Sequence, residues 1–388
     1  MNTFNSLVLT QDFPPIPGGV SVFVENLYRN WTGRTLILAP KLKELSNTKF
    51  PPNVFVKHIP MDLQRNGLQS YLSRQLSLYK ASRKIIKQER IDIIQCTHIA
   101  SGLAALLLNK VEGIPYVLYT YGSDITGQPG LLRHHLTKSI LENAFYLVTM
   151  SQFTLNAILN HGISEKKIRI LAGVDLSQFI KTGNIEKTRK KYNITGNPVI
   201  LTVARLVEHK GIDTVIKAIP RMLKMYPNLL YLVIGEGSYR NELEVLINGL
   251  KLKEHVRLLG HIPHNEMQND TEAFYSLCDL FLLVSRNIEG IEAEGFGLVF
   301  LEAALSRKAV VGGDSGGIAD AVLDGVTGKL VDPTDPGAVA ECVISLLNDS
   351  GTAMEMGENG YRRAVEFFNW KTNVRKWEQD LVYLLSNK

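Results

Sequence analysis

Nowhere in its 388 residues does the chain string together eighteen apolar residues, so no helix is expected to span a membrane. The best apolar runs, such as LFLLV at 280–284, have the length of a strand. The opening SLVLT at 6–10 is too short for the core of a leader, and no basic segment precedes it. The expected location is therefore the cytoplasm, with at most peripheral contact at the inner membrane face. Cysteine is scarce: Cys96, Cys278 and Cys342 lie far apart without a C-x-x-C, which reads as reduced thiols and argues against a structural zinc. No D-x-D occurs, no Walker loop occurs, and GEG at 235–237 lacks the third glycine of a dinucleotide fingerprint, since position 240 is Arg. A dense Lys/Arg stripe with interleaved aromatics is also missing, which disfavours nucleic acid.

What the chain does contain is ample apolar mass. Hydrophobic residues make up 45% and charged residues 21%, enough for two cores and incompatible with disorder as the main state. Net charge is +5 but unevenly spread. Residues 1–180 hold 19 Lys/Arg and 11 Asp/Glu, a balance of +8, and the remainder carries −3. That excess suits an anionic acceptor or an anionic membrane surface, and equally a solvated basic face.

Short β-rich runs alternate with amphipathic stretches. SLVLT, TLILA (35–39), VFVKHI (54–59), IDIIQC (91–96), YVLYT (116–120), YLVTM (146–150) and IRILA (168–172) form a first series. Between the first two, Val20, Phe23, Val24, Leu27 and Trp31 share one helical face. GVDLSQF (173–179) and the polar stretch 181–198 read as a linker and the entry to a second unit. The alternation restarts at VILTVA (199–204) and runs through LLYLVIG, VRLLG, LFLLV, AVVGG and GKLV, ending in about 50 helical residues. The expected fold class is α/β, with two doubly wound Rossmann-like domains facing across a cleft. Their expected bounds are 1–180 and 181–369, with a last helix over 370–388. Ligands of such sheets bind beyond the carboxyl ends of the strands, and the glycine-rich motifs sit there.

The sharpest motif is EGFGLVFLEAAL, 294–305. A helix opening at Gly297 presents unpartnered N–H groups at the positive end of its dipole, a ready anion site that glycine lets a phosphate approach. Its body is apolar around the circumference, so it is expected to be buried, with Glu302 inside that run. A buried carboxylate needs a partner: vicinal hydroxyls of a ligand, or a core arginine. Glu294, just before the glycines, lies at the mouth of the same anion site or serves only as a helix-start carboxylate. Arg205 and Lys210, after strand 199–204, offer a donor fork and a mobile charge for a diphosphate, or else two surface charges. Gly18 and Gly19 open a further helix after the first strand. His98 ends a strand and reads as a core histidine or an acceptor-side group. Tyr121 and Asp124 follow another strand, facing the cleft, unless Asp124 merely caps the next helix.

Together these residues resemble the retaining nucleotide-sugar glycosyltransferases of family four, which have the GT-B fold. The markers run along nearly the whole chain: Gly18-Gly19-Val20, Gly173-Val174-Asp175, Arg205 to Gly211, Gly235-Glu236-Gly237, Glu294 to Glu302, SGGIADAV (315–322) and DGVTGKLVDP (324–333). The resemblance implies that Glu302 binds the ribose hydroxyls. Glu294 binds the donor sugar with the N–H groups of Phe296, Gly297 and Leu298. Arg205 and Lys210 hold the diphosphate, Gly235 belongs to the nucleotide-sugar-binding set, and Gly19 touches the distal phosphate. Backbone near Ile262 reads the base, and the last helix crosses back to the first domain. Many relatives carry a histidine where this chain has Tyr121, a phenol that donates a hydrogen bond but carries no positive charge at neutral pH. The implied activity is metal-independent transfer of a hexose, first expectation glucose from UDP-glucose, to a glycan or lipid-linked acceptor in polysaccharide or glycolipid assembly. It requires no cofactor beyond the nucleotide sugar. A UDP-sugar 2-epimerase and a non-catalytic sugar-nucleotide-binding protein are the alternatives.

Overall fold

The computed structural model describes residues 4–16, 18–42, 48–63, 67–126, 131–176, 185–262, 272–288 and 294–387. They form two compact bodies, Met1–Ala172 with Trp370–Lys388, and Gly173–Asn369. The boundary falls at Ala172 rather than after 180. Val174 already belongs to the second body, where its N–H donates to the Phe368 carbonyl at 2.7 Å. The stretch read as a linker is also partly structured, because Ile185–Lys191 is a helix. Residues 177–184 lie outside the described residues.

In the first body seven strands run parallel: β1 (Ser6–Leu9), β2 (Thr35–Pro40), β3 (Val54–Ile59), β4 (Ile93–Cys96), β5 (Tyr116–Thr120), β6 (Tyr146–Thr149) and β7 (Ile168–Ile170). Their order is β3-β2-β1-β4-β5-β6-β7. β1 is central, with Ser6 opposite Thr35 on one side and Ile93 on the other. Helices cover both of its faces, which is why SLVL is buried throughout. β3, at the sheet edge, instead alternates and leaves Phe55 exposed. On helix Gly19–Arg29 the expected face is buried at Phe23, Val24 and Leu27, and Trp31 follows in the core. Helix Trp370–Ser386 belongs to this body. Trp370 packs edge-on against Phe23 at 5.0 Å, and Trp377 Nε1 donates to the Tyr119 hydroxyl at 2.9 Å.

The second body repeats the winding with six parallel strands: β8 (Val199–Val203), β9 (Leu230–Ile234), β10 (Val256–Gly260), β11 (Leu280–Leu283), β12 (Ala309–Gly313) and β13 (Gly328–Val331). Their order is β10-β9-β8-β11-β12-β13. From β8 the chain winds outward one way, then returns to build from β11 the other way. The loops after β8 and β11 therefore diverge, and the crevice between them is where such a sheet takes its ligand. In the first body β1 and β4 make the equivalent reversal. No helix among the described residues is long and apolar enough to cross a membrane.

Candidate functional site

At the reversal in the second body, the loop after β8 supplies Lys210 and the segment after β11 supplies Glu294. They meet: Lys210 Nζ lies 2.6 Å from Glu294 Oε2, with side chains 12% and 15% exposed. Ser285, directly after β11, donates to the same oxygen at 3.4 Å. Burial pushes the Glu294 carboxyl up, but the Lys210 charge and hydrogen bond, helped by His209 and Ser285, outweigh it and hold the group below its ordinary value. It is a carboxylate with one oxygen committed to Lys210. The sequence reading had given these two residues separate tasks; the fold makes them one charged unit.

Three residues beyond Glu294 the chain turns at Gly297, whose φ of 89° suits glycine, and helix Leu298–Leu305 begins. A Cβ there would also strike the Phe300 ring at 2.6 Å. No side chain caps this helix, whereas Ser151, Asp335 and Asp349 cap the helices that follow them. The helix is not buried all round as expected. Phe300, Leu301, Ala303, Ala304 and Leu305 face the core, but Leu298, Val299 and Glu302 form a half-buried stripe. Glu302 therefore reaches the surface one turn into the helix. Its carboxylate accepts the Tyr275 hydroxyl at 2.7 Å, and no salt bridge reaches it among the described residues. Burial pushes its pKa up, and the Tyr275 bond offsets only part of that. Of the two partners foreseen for Glu302, a core arginine is thus not seen in the described residues.

Arg205 is exposed on the loop after β8, one residue before fully buried Leu206. Glycines explain how that loop is held. A Cβ on Gly235 would fall onto the Ala204 carbonyl, and one on Gly237 onto the Leu206 carbonyl. The 235–237 turn packs directly on the Arg205 backbone, and Leu206 N–H donates to the Glu236 carbonyl at 3.0 Å. Gly235 thus has a steric duty to the neighbouring loop, apart from any ligand. Phe296 and Ile262 are buried, Phe296 edge-on against Phe368 at 5.4 Å, so only their backbones could serve a ligand. Pro263 and His264, which end the GHIPH stretch, lie outside the described residues.

Sequence reasoning missed Arg286. Its Nη1 donates to Asp213 Oδ1 at 2.8 Å and Thr214 Oγ1 at 2.9 Å, and its N–H donates to the His209 carbonyl at 2.8 Å. It ties the strand end at β11 to the loop carrying Lys210. The available signal was a polar pair, Ser285-Arg286, straight after a buried strand at the sheet reversal. Tyr275 left no comparable signal, since its apolar neighbours make it look like any core tyrosine.

In the first body Gly18 and Gly19 open helix Gly19–Arg29 without a side-chain cap, and a Cβ on either would meet nothing within 4 Å. His98, at the end of β4, turns its Nδ1 to accept the Ala100 N–H at 3.0 Å. Its ring stacks on Tyr121 at 6.0 Å. Asp124 is 7% exposed. Its Oδ1 accepts the N–H groups of Tyr121 and Gly122, both at 3.0 Å, so it serves the turn after β5. Burial raises its pKa against those bonds and the nearby His98. Tyr121 is 8% exposed, and its hydroxyl has no hydrogen-bond partner among the described residues. Burial, then Asp124 and Asp12, push this phenol far above its usual range, so it stays neutral.

Two parallel sheets, each reversing at a glycine-opened helix, make two doubly wound units, and known families say what class of protein carries them. Residues 17–178 match the family described as Glycosyltransferase Family 4, and residues 184–363 match Glycosyl transferases group 1. The chain belongs to glycosyltransferase family 4, has the GT-B fold and is a glycosyltransferase. It is 28% identical over 394 residues to a GDP-mannose-dependent α-(1-6)-phosphatidylinositol monomannoside mannosyltransferase of Mycolicibacterium smegmatis, covering 98% of both chains. A mannosyltransferase of Corynebacterium glutamicum, named for the monoacylated form of that acceptor, is 27% identical and covers 94% of each. Among solved structures, HepE of Anabaena with UDP and glucose superposes with a TM-score of 0.80 at 20% identity, covering 98% of this chain and 100% of that one. Sucrose-phosphate synthase of Thermosynechococcus elongatus gives 0.84 at 21%, covering 99% and 100%. At those identities the structures speak for the fold.

Proposed function

We propose that this glycosyltransferase moves a hexose, with retention at the anomeric carbon and without a metal ion, from a nucleoside diphosphate sugar to a hydroxyl of an anionic glycolipid. The observation that carries the reading is the Lys210–Glu294 unit at the sheet reversal, just before a helix that opens on glycine and presents Glu302 one turn later. In this reading the diphosphate lies at the amino end of helix Leu298–Leu305, met by its N–H groups, Arg205 and Lys210. Glu302 takes the ribose hydroxyls and Glu294 takes hydroxyls of the sugar. The residues do the work of orientation and of stabilising charge on the leaving diphosphate. The acceptor proton passes to the departing phosphate oxygen on the same face, so no pair of nucleophile and acid carboxylates is required.

UDP-glucose was the donor expected from the sequence. Two of the relatives that span the chain are named for GDP-mannose and for a phosphatidylinositol mannoside, which makes GDP-mannose the first donor to try and gives the basic first body an anionic lipid acceptor. The test is a donor panel with phosphatidylinositol monomannoside in detergent, read as nucleotide release and as the anomeric configuration of the product. An inverted product rejects retention. Release of no nucleotide from any donor, or a new sugar isomer without transfer, rejects the whole reading.

Glu302 gives a second test with opposite signs. Its pKa is raised in the fold, so the buried charge costs stability above the folded value. That cost disappears as pH falls through the ordinary 4.5. Glu302→Gln is therefore expected to raise Tm at neutral pH, with no gain in acid. The same change weakens nucleotide binding by about 10- to 100-fold, because two charge-assisted hydrogen bonds to the ribose become one neutral bond. Calorimetry showing unchanged nucleotide affinity would remove Glu302 from the site.

A further inference from the structure

Helix Leu68–Ile86 of the first body leaves an apolar ridge in water. Leu68, Leu72 and Leu76, spaced four apart, are 66%, 47% and 50% exposed. The same spacing continues into exposed Lys80 and Lys84. The opposite face is spent on the core, where Leu78 and Ile85 are buried. From Leu68 to Gln88 the chain has no Asp or Glu and five cations: Arg74, Lys80, Arg83, Lys84 and Lys87.

The neighbouring helix Gly102–Glu112 extends this surface. Gln75 Oε1 accepts the Ala104 N–H at 3.0 Å, and Arg83 pairs with Glu112 at 2.6 Å, so the two helices lie side by side. Leu107 and Val111, again four apart, are 41% and 56% exposed. Glu112, the acidic residue of this helix, is neutralised by Arg83.

A single exposed leucine needs no explanation. Five exposed aliphatic side chains on two adjacent helices, bordered by cations of one sign, do need one. A protein partner would be held in register by charges of both signs, which helix Leu68–Ile86 lacks. An anionic bilayer asks for what is present: aliphatic groups to enter the acyl boundary, and long lysine stems that lift their charge into the headgroups. We propose that helix Leu68–Ile86, with Leu107 and Val111 beside it, docks on the surface of an anionic membrane. The proposal rests on the glycolipid reading above and names the surface through which the enzyme reaches such an acceptor.

The experiment is sedimentation of the full chain with vesicles of phosphatidylcholine and phosphatidylglycerol, about three to one, against vesicles of phosphatidylcholine alone. The chain is expected to pellet with the anionic vesicles, and to be released at about 0.5 M salt. Leu72→Ser with Leu76→Ser should weaken partitioning about 10-fold or more. Lys80→Gln with Lys84→Gln should weaken it about 30-fold. Both variants should keep the wild-type thermal transition and nucleotide release in detergent. A wild-type chain that stays in the supernatant overturns the proposal, as do variants that pellet unchanged. A concentration-dependent dimer that Leu72→Ser dissolves would assign the ridge to a second copy instead. If the chain pellets but glycosylates only a water-soluble glycan, the acceptor reading fails and the docking surface stands. If detergent-dispersed glycolipid is a good acceptor while vesicles are ignored, the docking surface alone fails.

Discussion

Lys210→Met is expected to lower turnover by about 10²- to 10³-fold, the usual cost of removing one donor from a developing oxyanion. The 2.6 Å contact with Glu294 adds a second consequence. In the wild type the Lys210 charge outweighs burial and keeps the Glu294 pKa below its ordinary 4.5. A depressed carboxylate pKa means that its contribution to stability is complete above 4.5 and is lost as pH falls through the lower, folded value. Methionine keeps the aliphatic stem and removes the charge, so burial then dominates and the Glu294 pKa rises. The acid limb of the pH profile of kcat/KM should therefore move to higher pH in Lys210→Met, and the sign of the stability effect should reverse: the raised carboxyl costs stability at neutral pH and releases that cost as pH falls. Arg205→Ala, on the same loop but exposed, should lower turnover to a similar degree and leave the acid limb in place. Near-normal turnover in both variants would withdraw the diphosphate role from this loop. A shared shift of the acid limb would separate it from the Lys210–Glu294 pair.

How much of this was legible in the sequence follows from what each residue does. The thirteen strands were readable because a parallel strand covered on both faces must be a short continuous apolar run, as SLVL and LFLL are. The doubly wound class came with the alternation, since parallel strands need helical crossovers of one hand, but the order of the strands did not. The division into bodies was misplaced by about eight residues because GVDLSQF carries the polar, glycine-led look of a linker. Its early residues are instead fastened by backbone bonding of Val174 to Phe368, almost 200 positions away. No local pattern encodes a contact at that separation.

Site residues split along the same line. Gly297, Glu294 and Glu302 were visible because backbone geometry and a helix period fix their relation within nine positions. The pairing of Lys210 with Glu294 joins residues 84 positions apart, and the anchor at Arg286 joins residues 72 and 73 apart. Neither leaves a periodic trace. Asp124 shows what local bonding does make legible: its Oδ1 accepts two N–H groups within three residues, the short-range role that the sequence offered as one of two readings. Helix Leu298–Leu305 was judged by composition as buried on every side, but composition cannot say that Leu298 and Val299 stay half-exposed beside Glu302.

The other large effect is structural and lies far from the chemistry. Glu378, on helix Trp370–Ser386, is 7% exposed, and no cation pairs with it among the described residues. Its Oε1 accepts the N–H groups of Thr32 and Gly33, both at 2.8 Å, and its Oε2 accepts the Thr32 hydroxyl at 2.9 Å. Those donors belong to the turn between helix Gly19–Arg29 and β2, a turn whose N–H groups find no strand to bond. The buried carboxylate thus replaces a missing piece of sheet and fastens the last helix to the first body. Glu378→Ala removes three charge-assisted bonds and strands two backbone donors, with an expected cost of about 3–5 kcal/mol. Glu378→Gln keeps one acceptor oxygen but turns an NH₂ group toward a donor, and should lose about half as much. Chemical denaturation of the two variants checks both size and order. A Glu378→Ala chain within about 0.5 kcal/mol of wild type would mean that water satisfies the turn equally well. The clasp would then reduce to the packing of Trp370 and Trp377, which are 1% and 0% exposed.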